Sequence, residues 1–373
     1  MSPQTEAELA ECISSAQGPL HIQGGGTRSI GRINAATTLE TTGISGISLY
    51  EPGALTLVAQ AGTPLAEIEA ALLPERQRLA FEPQDLRGLL GTTGQSTIGG
   101  VVASNSSGPR RIQAGACRDF TLGTRFVDGT GTVLKNGGRV MKNVTGYDLV
   151  KLLSGSWGSL GVLTEISLKT QPLPETAVCI LINGLSDSEA VTAMSRALGS
   201  PYEITGAAHA PAGIDGHPVT MLRIEGFEGS VSYRAEELRK MFSDKDVAIE
   251  RSPDRLKDGW RWVRDVALIQ DKPGDVWRIS CKPSDAPELA HRLKATSLLY
   301  DWGGGLIWAL MGEGSDARAR LGDFGGHATL IRASKSGATY PTFHPEPAAL
   351  ATLSKSLRAK FDPKGILNSG IMD

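Results

Sequence analysis

Residues 24–29 read Gly24, Gly25, Gly26, Thr27, Arg28 and Ser29, a run of bare backbone followed by two hydroxyls and a guanidinium. Successive glycines let several amides turn inward together, and amides, hydroxyls and a cation are what a phosphate oxygen needs. One glycine triplet is more often a tight surface turn, so other segments must carry the argument. Residues 88–111, GLLGTTGQSTIGGVVASNSSGPRR, are crowded with Gly, Ser, Thr and Asn and hold no charge before Arg110. Small residues there allow close backbone approach to a long, flat ligand, and the hydroxyls and amides supply donors for a phosphate, a ribityl chain or a flavin edge. A third stretch, LLSGSWGSLGVLTE, sets Gly155, Gly158 and Gly161 ahead of a strand.

Two common phosphate loops are excluded by their neighbours. A dinucleotide-binding loop needs G-x-G-x-x-G between a strand and a helix, but Gly24 and Gly26 are followed by Ser29, and RINAATTLETTG has no helical stripe. A Walker A loop needs Lys and then Ser or Thr, where Arg32 and Ile33 follow Gly31. The strand PLHIQ therefore runs into an anion nest with no helix behind it.

Arginine is the natural partner of a carboxylate, and histidine the natural base near neutral pH. The candidates are Arg223, Arg278, Arg332, His209, His217, His327 and His344, whose spacing forms no recognisable cluster. The segment HAPAGIDGH, His209 to His217, reads as a loop bearing exposed histidines, and Arg223 as a structural ion-pair partner. Trp260, Trp262, Trp277, Trp302 and Trp308 read as core in preference to an interface. Cys12, Cys117, Cys179 and Cys281 lie far apart with no C-x-x-C pair, so no zinc or iron–sulfur site is expected from this chain.

The elements that must position these groups follow from pattern. The 373 residues predict two domains. Lys plus Arg number 38 against 40 Asp plus Glu with no basic block, which argues against a nucleic-acid partner. The N-terminus lacks a basic-then-apolar leader and no apolar run approaches the roughly 18 residues of a membrane span, so a cytoplasmic protein is expected. To about residue 170 the chain reads as short strands and glycine turns. It includes a helix at TPLAEIEAALL with Thr63 as N-cap, Pro64 at N1 and a stripe of Leu65, Ile68, Leu72 and Leu73. A hairpin is expected around Asp128 and Gly129, and a short helix at YDLVKLL. Residues 176–333 alternate strands and amphipathic helices in the order βαββαβ, twice, predicting two ferredoxin-like units or one sheet built from both.

Five motifs occur in one order: IQGGGTRSIG, STIGGVVASNSSGPRR, RDFTLGTRFVDGTG, GGRVMKNVTGYDLVKLLSGSWGSLGVLTEISLK and FDPKGILNSG. Together they resemble the FAD-binding domain of the vanillyl-alcohol oxidase (PCMH) type, in particular the FAD-binding E subunits of bacterial glycolate oxidase. The resemblance implies an α+β fold: a two-subdomain FAD-binding domain over residues 1–172, a ferredoxin-like cap over 173–339 and a tail, 340–373, returning to the first domain. It implies non-covalent FAD, with Gly24, Gly25, Gly26, Thr27, Arg28 and Ser29 at the pyrophosphate. Thr97, Ile98, Gly99, Gly100, Asn105 and Gly108 would line the diphosphate, ribityl chain and flavin. Gly158, Gly161 and Val162 would give backbone contacts and Asn368 would reach the flavin, with Ser369 where the family often has Pro. The segment holding Lys142 and Tyr147 would lie near the flavin, neither residue having a derivable role. The expected function is the FAD-binding subunit of a glycolate-oxidising complex, partnered by a homologous flavin subunit and an iron–sulfur subunit, with any membrane contact through partners. The alternatives are a self-sufficient flavin dehydrogenase of another 2-hydroxy acid or alcohol, and a flavin-free structural partner.

Overall fold

The computed structural model describes residues 1–140, 146–334 and 340–372. Lys142 lies outside the described residues, and Tyr147 is 88% exposed.

Strand β1 (Leu20–Gln23) runs parallel to β2 (Thr37–Glu40). Helix Glu6–Ser14 packs on them: the Thr5 hydroxyl accepts from the Glu8 amide, and Leu9 and Ile13, one turn apart, are fully buried. The C-terminal tail completes this unit. The Leu20 amide donates to the Ile366 carbonyl at 2.7 Å, and the Asn368 amide to the Leu20 carbonyl at 3.0 Å.

Strands β3 (Ile47–Glu51), β4 (Thr56–Gln60), β5 (Gln77–Arg78), β6 (Thr121–Val127), β7 (Val133–Gly137), β8 (Val162–Lys169) and β9 (Gln171–Pro172) follow. Five of them form an antiparallel sheet in the order β3-β4-β8-β6-β7, and β5 pairs with β9. Alternate residues Leu57, Ala59, Ile166 and Leu168 pack against helices Leu65–Leu72 and Ile98–Ala103. The expected hairpin forms, with Val127 opposite Val133 and Asp128 Oδ1 accepting from the Thr130 and Thr132 amides. One local expectation does not hold. Pro64, not Thr63, is the N-cap, because the Thr63 hydroxyl is occupied by Gly46; Leu73 lies past the helix end and is 64% exposed. Within residues 88–111 a short helix forms. Thr97 caps helix Ile98–Ala103, accepting from the Gly100 amide at 3.3 Å, and burial of Ile98, Val101 and Val102 overrides the low helix propensity of two glycines.

The remaining strands are β10 (Thr176–Asn183), β11 (Ile204–Ala210), β12 (Val219–Gly226), β13 (Asp246–Glu250), β14 (Asp275–Cys281), β15 (Ser297–Asp301), β16 (Leu306–Met311) and β17 (Gly326–Arg332). They make one eight-stranded sheet, β13-β10-β12-β11-β15-β16-β14-β17. Its halves are the two βαββαβ units, joined edge to edge where His209 pairs with Tyr300. Side chains alternate between faces. Trp277, Ile279, Ile307 and Ala309 pack with Val191, Leu238 and Leu289 of the helices on one face. Val276, Trp308 and Leu310 face the other way and share a core with Ile30, Leu86 and Leu89 of the first region. Both tryptophans are core, on opposite sides of the sheet. Helix Pro253–Arg264, not expected from the pattern, covers the same face through Leu256, Trp260 and Val263.

Candidate functional site

A cavity of about 280 Å³ lies where β1 ends, lined by all the expected cofactor residues except Ile98, Asn105 and Gly108. Ile98 turns into the core, and Gly108 packs on Glu82, its carbonyl accepting from Trp302 Nε1 at 3.1 Å. Two loops interlock to form the wall. A Cβ on Gly25 would stand 1.5 Å from the Gln95 carbonyl oxygen, and one on Gly94 1.6 Å from that of Gly25, so only bare backbone fits. Among the described residues no acceptor is found for the amides of Gly25, Gly26, Thr27, Arg28 and Ser29. These free donors are what an anion nest offers.

Arg28 supplies the charge. Its Nη1 donates to Ser96 Oγ at 2.8 Å and its Nη2 to the Gln84 carbonyl, while its Nε is buried with no partner. Burial pushes the guanidinium down to about 10, with partial compensation from Asp85 and Asp265. It remains a cation at neutral pH. A buried, orphaned donor on a half-buried cation, beside free amides, fits the phosphates of a dinucleotide. Asn368 joins the tail to this wall: its Oδ1 accepts from the Ile22 amide and its Nδ2 donates to the Trp157 carbonyl, each at 2.7 Å. Ser369 does not prevent that contact.

A second cavity of about 430 Å³ shares Arg28, Ile30 and Trp157 with the first and extends beneath β14 and β17. Asn105 lines it, as do Arg278 and His327 from the candidate list, and they meet Arg111, which the sequence reading did not nominate. The guanidiniums of Arg111 and Arg278 lie 4.7 Å and 5.1 Å from the centroid of the Trp302 ring. Burial and then Arg111 bring Arg278 down to about 10. His327 is held below its ordinary value by partial burial, then by Arg278, His344 and Arg111, so it is neutral at pH 7.

The other candidates stand elsewhere. Arg223 donates to both oxygens of Glu82 at 2.9 Å, the structural pairing expected of it. Arg332 is tied to the carbonyls of Leu89 and Gln270. His209 corrects the expectation of an exposed loop residue: it lies on β11, fully buried, with Nδ1 2.9 Å from Thr220 Oγ1 and Nε2 3.5 Å from Asp187. The loop begins only after Ala210, and His217 on it is exposed. His344 Nδ1 accepts from the Ala328 amide at 3.3 Å.

An α+β unit of two small subdomains, with a glycine-walled anion cavity under a ferredoxin-like cap, defines an FAD-binding flavoprotein of the PCMH type, and a family model described as an FAD binding domain matches residues 1–137. The chain is 37% identical over 357 residues to glycolate oxidase subunit GlcE of Escherichia coli, covering 95% of this chain and 92% of that protein. It belongs to the family of that subunit, and its cofactor is FAD. Glycolate oxidase subunit GlcD of Bacillus subtilis is 43% identical over 86 residues, 23% of this chain and 18% of that one. In fold alone the chain resembles alkyldihydroxyacetonephosphate synthase, with a TM-score of 0.71 at 16% identity, over 99% of this chain and 76% of that one. No helix among the described residues is long and apolar enough to cross a membrane.

Removing the charge at residue 28 tests the fit directly. Arg28→Gln is expected to weaken FAD binding about 10- to 100-fold, the range for a lost hydrogen bond to a charged group. Fluorescence titration of the flavin-stripped chain with FAD measures it, and unchanged affinity would show that Arg28 does not face the phosphates.

Proposed function

We propose that this chain is the FAD-holding subunit of a complex that oxidises glycolate, or a 2-hydroxy acid of similar size, and passes electrons to a homologous flavin subunit and an iron–sulfur subunit. The observation that carries the reading is that the two cavities share Arg28, Ile30 and Trp157 in their linings: a glycine-walled cavity lies beside one lined by four arginines and no carboxylate. FAD bound in the first would supply the acceptor for the two electrons of the acid's oxidation. Gly24 to Ser29, Thr97, Gly99 and Gly100 would hold the pyrophosphate and ribityl chain. Asn105, Gly158, Gly161, Val162 and Asn368 would lie toward the flavin. FAD would be held without a covalent bond. The division into residues 1–172, 173–339 and 340–373 belongs to the same proposal, and the chain would reach a membrane only through its partners.

Glycolate-dependent dye reduction by the partner subunits, produced with and without this chain, tests the reading. The activity is expected to require the chain; equal activity without it would contradict a subunit role. A second reading, a dehydrogenase sufficient by itself, is favoured by Arg111, Arg278 and neutral His327 in one cavity. Anaerobic glycolate would then bleach the flavin of the isolated chain, whereas a flavin that stays oxidised until partners are added supports the first.

A further inference from the structure

The second cavity is lined by four arginines, Arg28, Arg111, Arg118 and Arg278, and by no Asp or Glu. So one-signed a lining is costly unless an anion enters it. Among the described residues neither the Arg111 nor the Arg278 guanidinium makes a hydrogen bond or a close ion pair, although both are half-buried; Asp119 acts on Arg111 only at longer range and is itself held by Lys151 at 3.0 Å. Asp301, the carboxylate that acts on Arg278, is spent otherwise: it accepts from the Trp302 amide at 2.7 Å, and burial raises it to about 7.

What holds the two guanidiniums is a turn built for the purpose. Trp302 has φ 55° and is followed by Gly303 at φ 67° and Gly304 at φ 101°, a left-handed run that a tryptophan adopts only under constraint. The constraint is visible: the indole Nε1 is bonded to the Gly108 carbonyl across from the cap, and both guanidiniums lie over the ring. An aromatic face can position a cation while leaving its N–H fork unused. A planar fork matches a carboxylate in two parallel hydrogen bonds.

We infer that Arg111 and Arg278, arrayed on Trp302, form a carboxylate-binding site in this chain, so that it holds a small hydroxy-acid anion itself and is not solely a carrier of cofactor. The inference rests on the reading of the chain as an FAD subunit of a hydroxy-acid oxidation, and it assigns the acid's carboxylate to the cap side of the cavity. His327 lies in the same lining.

The test titrates oxalate, a small carboxylate with no C–H bond to lose, into the purified FAD-loaded chain, read by calorimetry and by tryptophan fluorescence. Saturable binding is expected, competed by glycolate, and weakened about 10- to 100-fold in Arg278→Gln and in Arg111→Gln with the flavin content retained. Arg111→Gln, on the rim of the first region, serves if the variant in the cap sheet does not fold. A wild-type chain that carries FAD but binds no oxalate would overturn the inference and leave the FAD-subunit reading intact. So would variants that bind as the wild type does, or inorganic phosphate displacing oxalate as well as glycolate does. A chain without FAD would overturn the underlying reading instead.

Discussion

Replacing Gly25 by alanine is expected to give a chain that purifies without flavin. The added methyl carbon would stand 1.5 Å from the Gln95 carbonyl oxygen and 2.6 Å from its carbonyl carbon, within covalent range of backbone that has no flexible end to swing aside. The reciprocal approach at Gly94 means that neither loop can retreat without moving the other. Overpacking in a well-filled site costs about 1–3 kcal/mol and more where backbone must shift, and every ~1.4 kcal/mol taken from binding is tenfold. A loss of FAD affinity of about 100-fold or more follows. Gly53→Ala is the control, because nothing lies within 4 Å of a Cβ there and its backbone is ordinary. The flavin-to-protein absorbance ratio measures both. A Gly25→Ala chain as yellow as the wild type would contradict the loop geometry.

The second large effect lies between the first region and the cap. Glu225 accepts from Arg110 Nε at 2.9 Å, from Arg110 Nη2 at 2.6 Å and from Arg78 Nη1 at 2.9 Å, and Arg223 beside it forks onto Glu82. Three guanidiniums thus share two buried carboxylates. Removing one carboxylate leaves uncompensated charge out of water, so Glu225→Gln is expected to cost about 3–5 kcal/mol. Burial alone would raise the Glu225 carboxyl, but Arg223, Arg110 and Arg78 overcome it and hold the group well below the usual carboxylate range. Glu82 is lowered in the same way. A folded-state value below the unfolded one means that this stability is complete above pH about 4.5 and drains away as the pH falls below it. The gap between wild type and variant in urea unfolding should therefore be wide at pH 7 and narrow in acid. A gap under about 1 kcal/mol at pH 7, the value of an exposed pair, would show that the network is not a buried one.

The parts of this molecule that the sequence made legible are those governed by local rules. Gly24 to Gly26 and Gly99 to Gly100 announce backbone approach because no other residue permits it, and they fall together in the cavity. The strand–helix alternation of residues 176–332 shows in its periods of two and of three to four. What pattern left open, one sheet or two, is settled by the pairing of β11 with β15, a contact between residues far apart in the chain. Pro211 and Gly213 signal a loop next to His209, but strand pairing with Thr220 keeps that residue in the sheet. Helix Pro253–Arg264 carried a signal that was overlooked, Pro at N1 and Leu256, Trp260 and Val263 on one stripe. Arg111, Arg278 and His327 come from three segments that line one cavity, and the two guanidiniums share the face of Trp302, held in a left-handed turn. No spacing rule reaches across such distances.

These loops are expected to hold one FAD without a covalent bond. The most direct test is the visible absorption spectrum of the purified chain, taken before and after denaturation and filtration. The expected result is a flavin spectrum at one FAD per chain, passing entirely into the filtrate once the protein unfolds. A colourless chain, or a flavin that stays with the unfolded polypeptide, would contradict it.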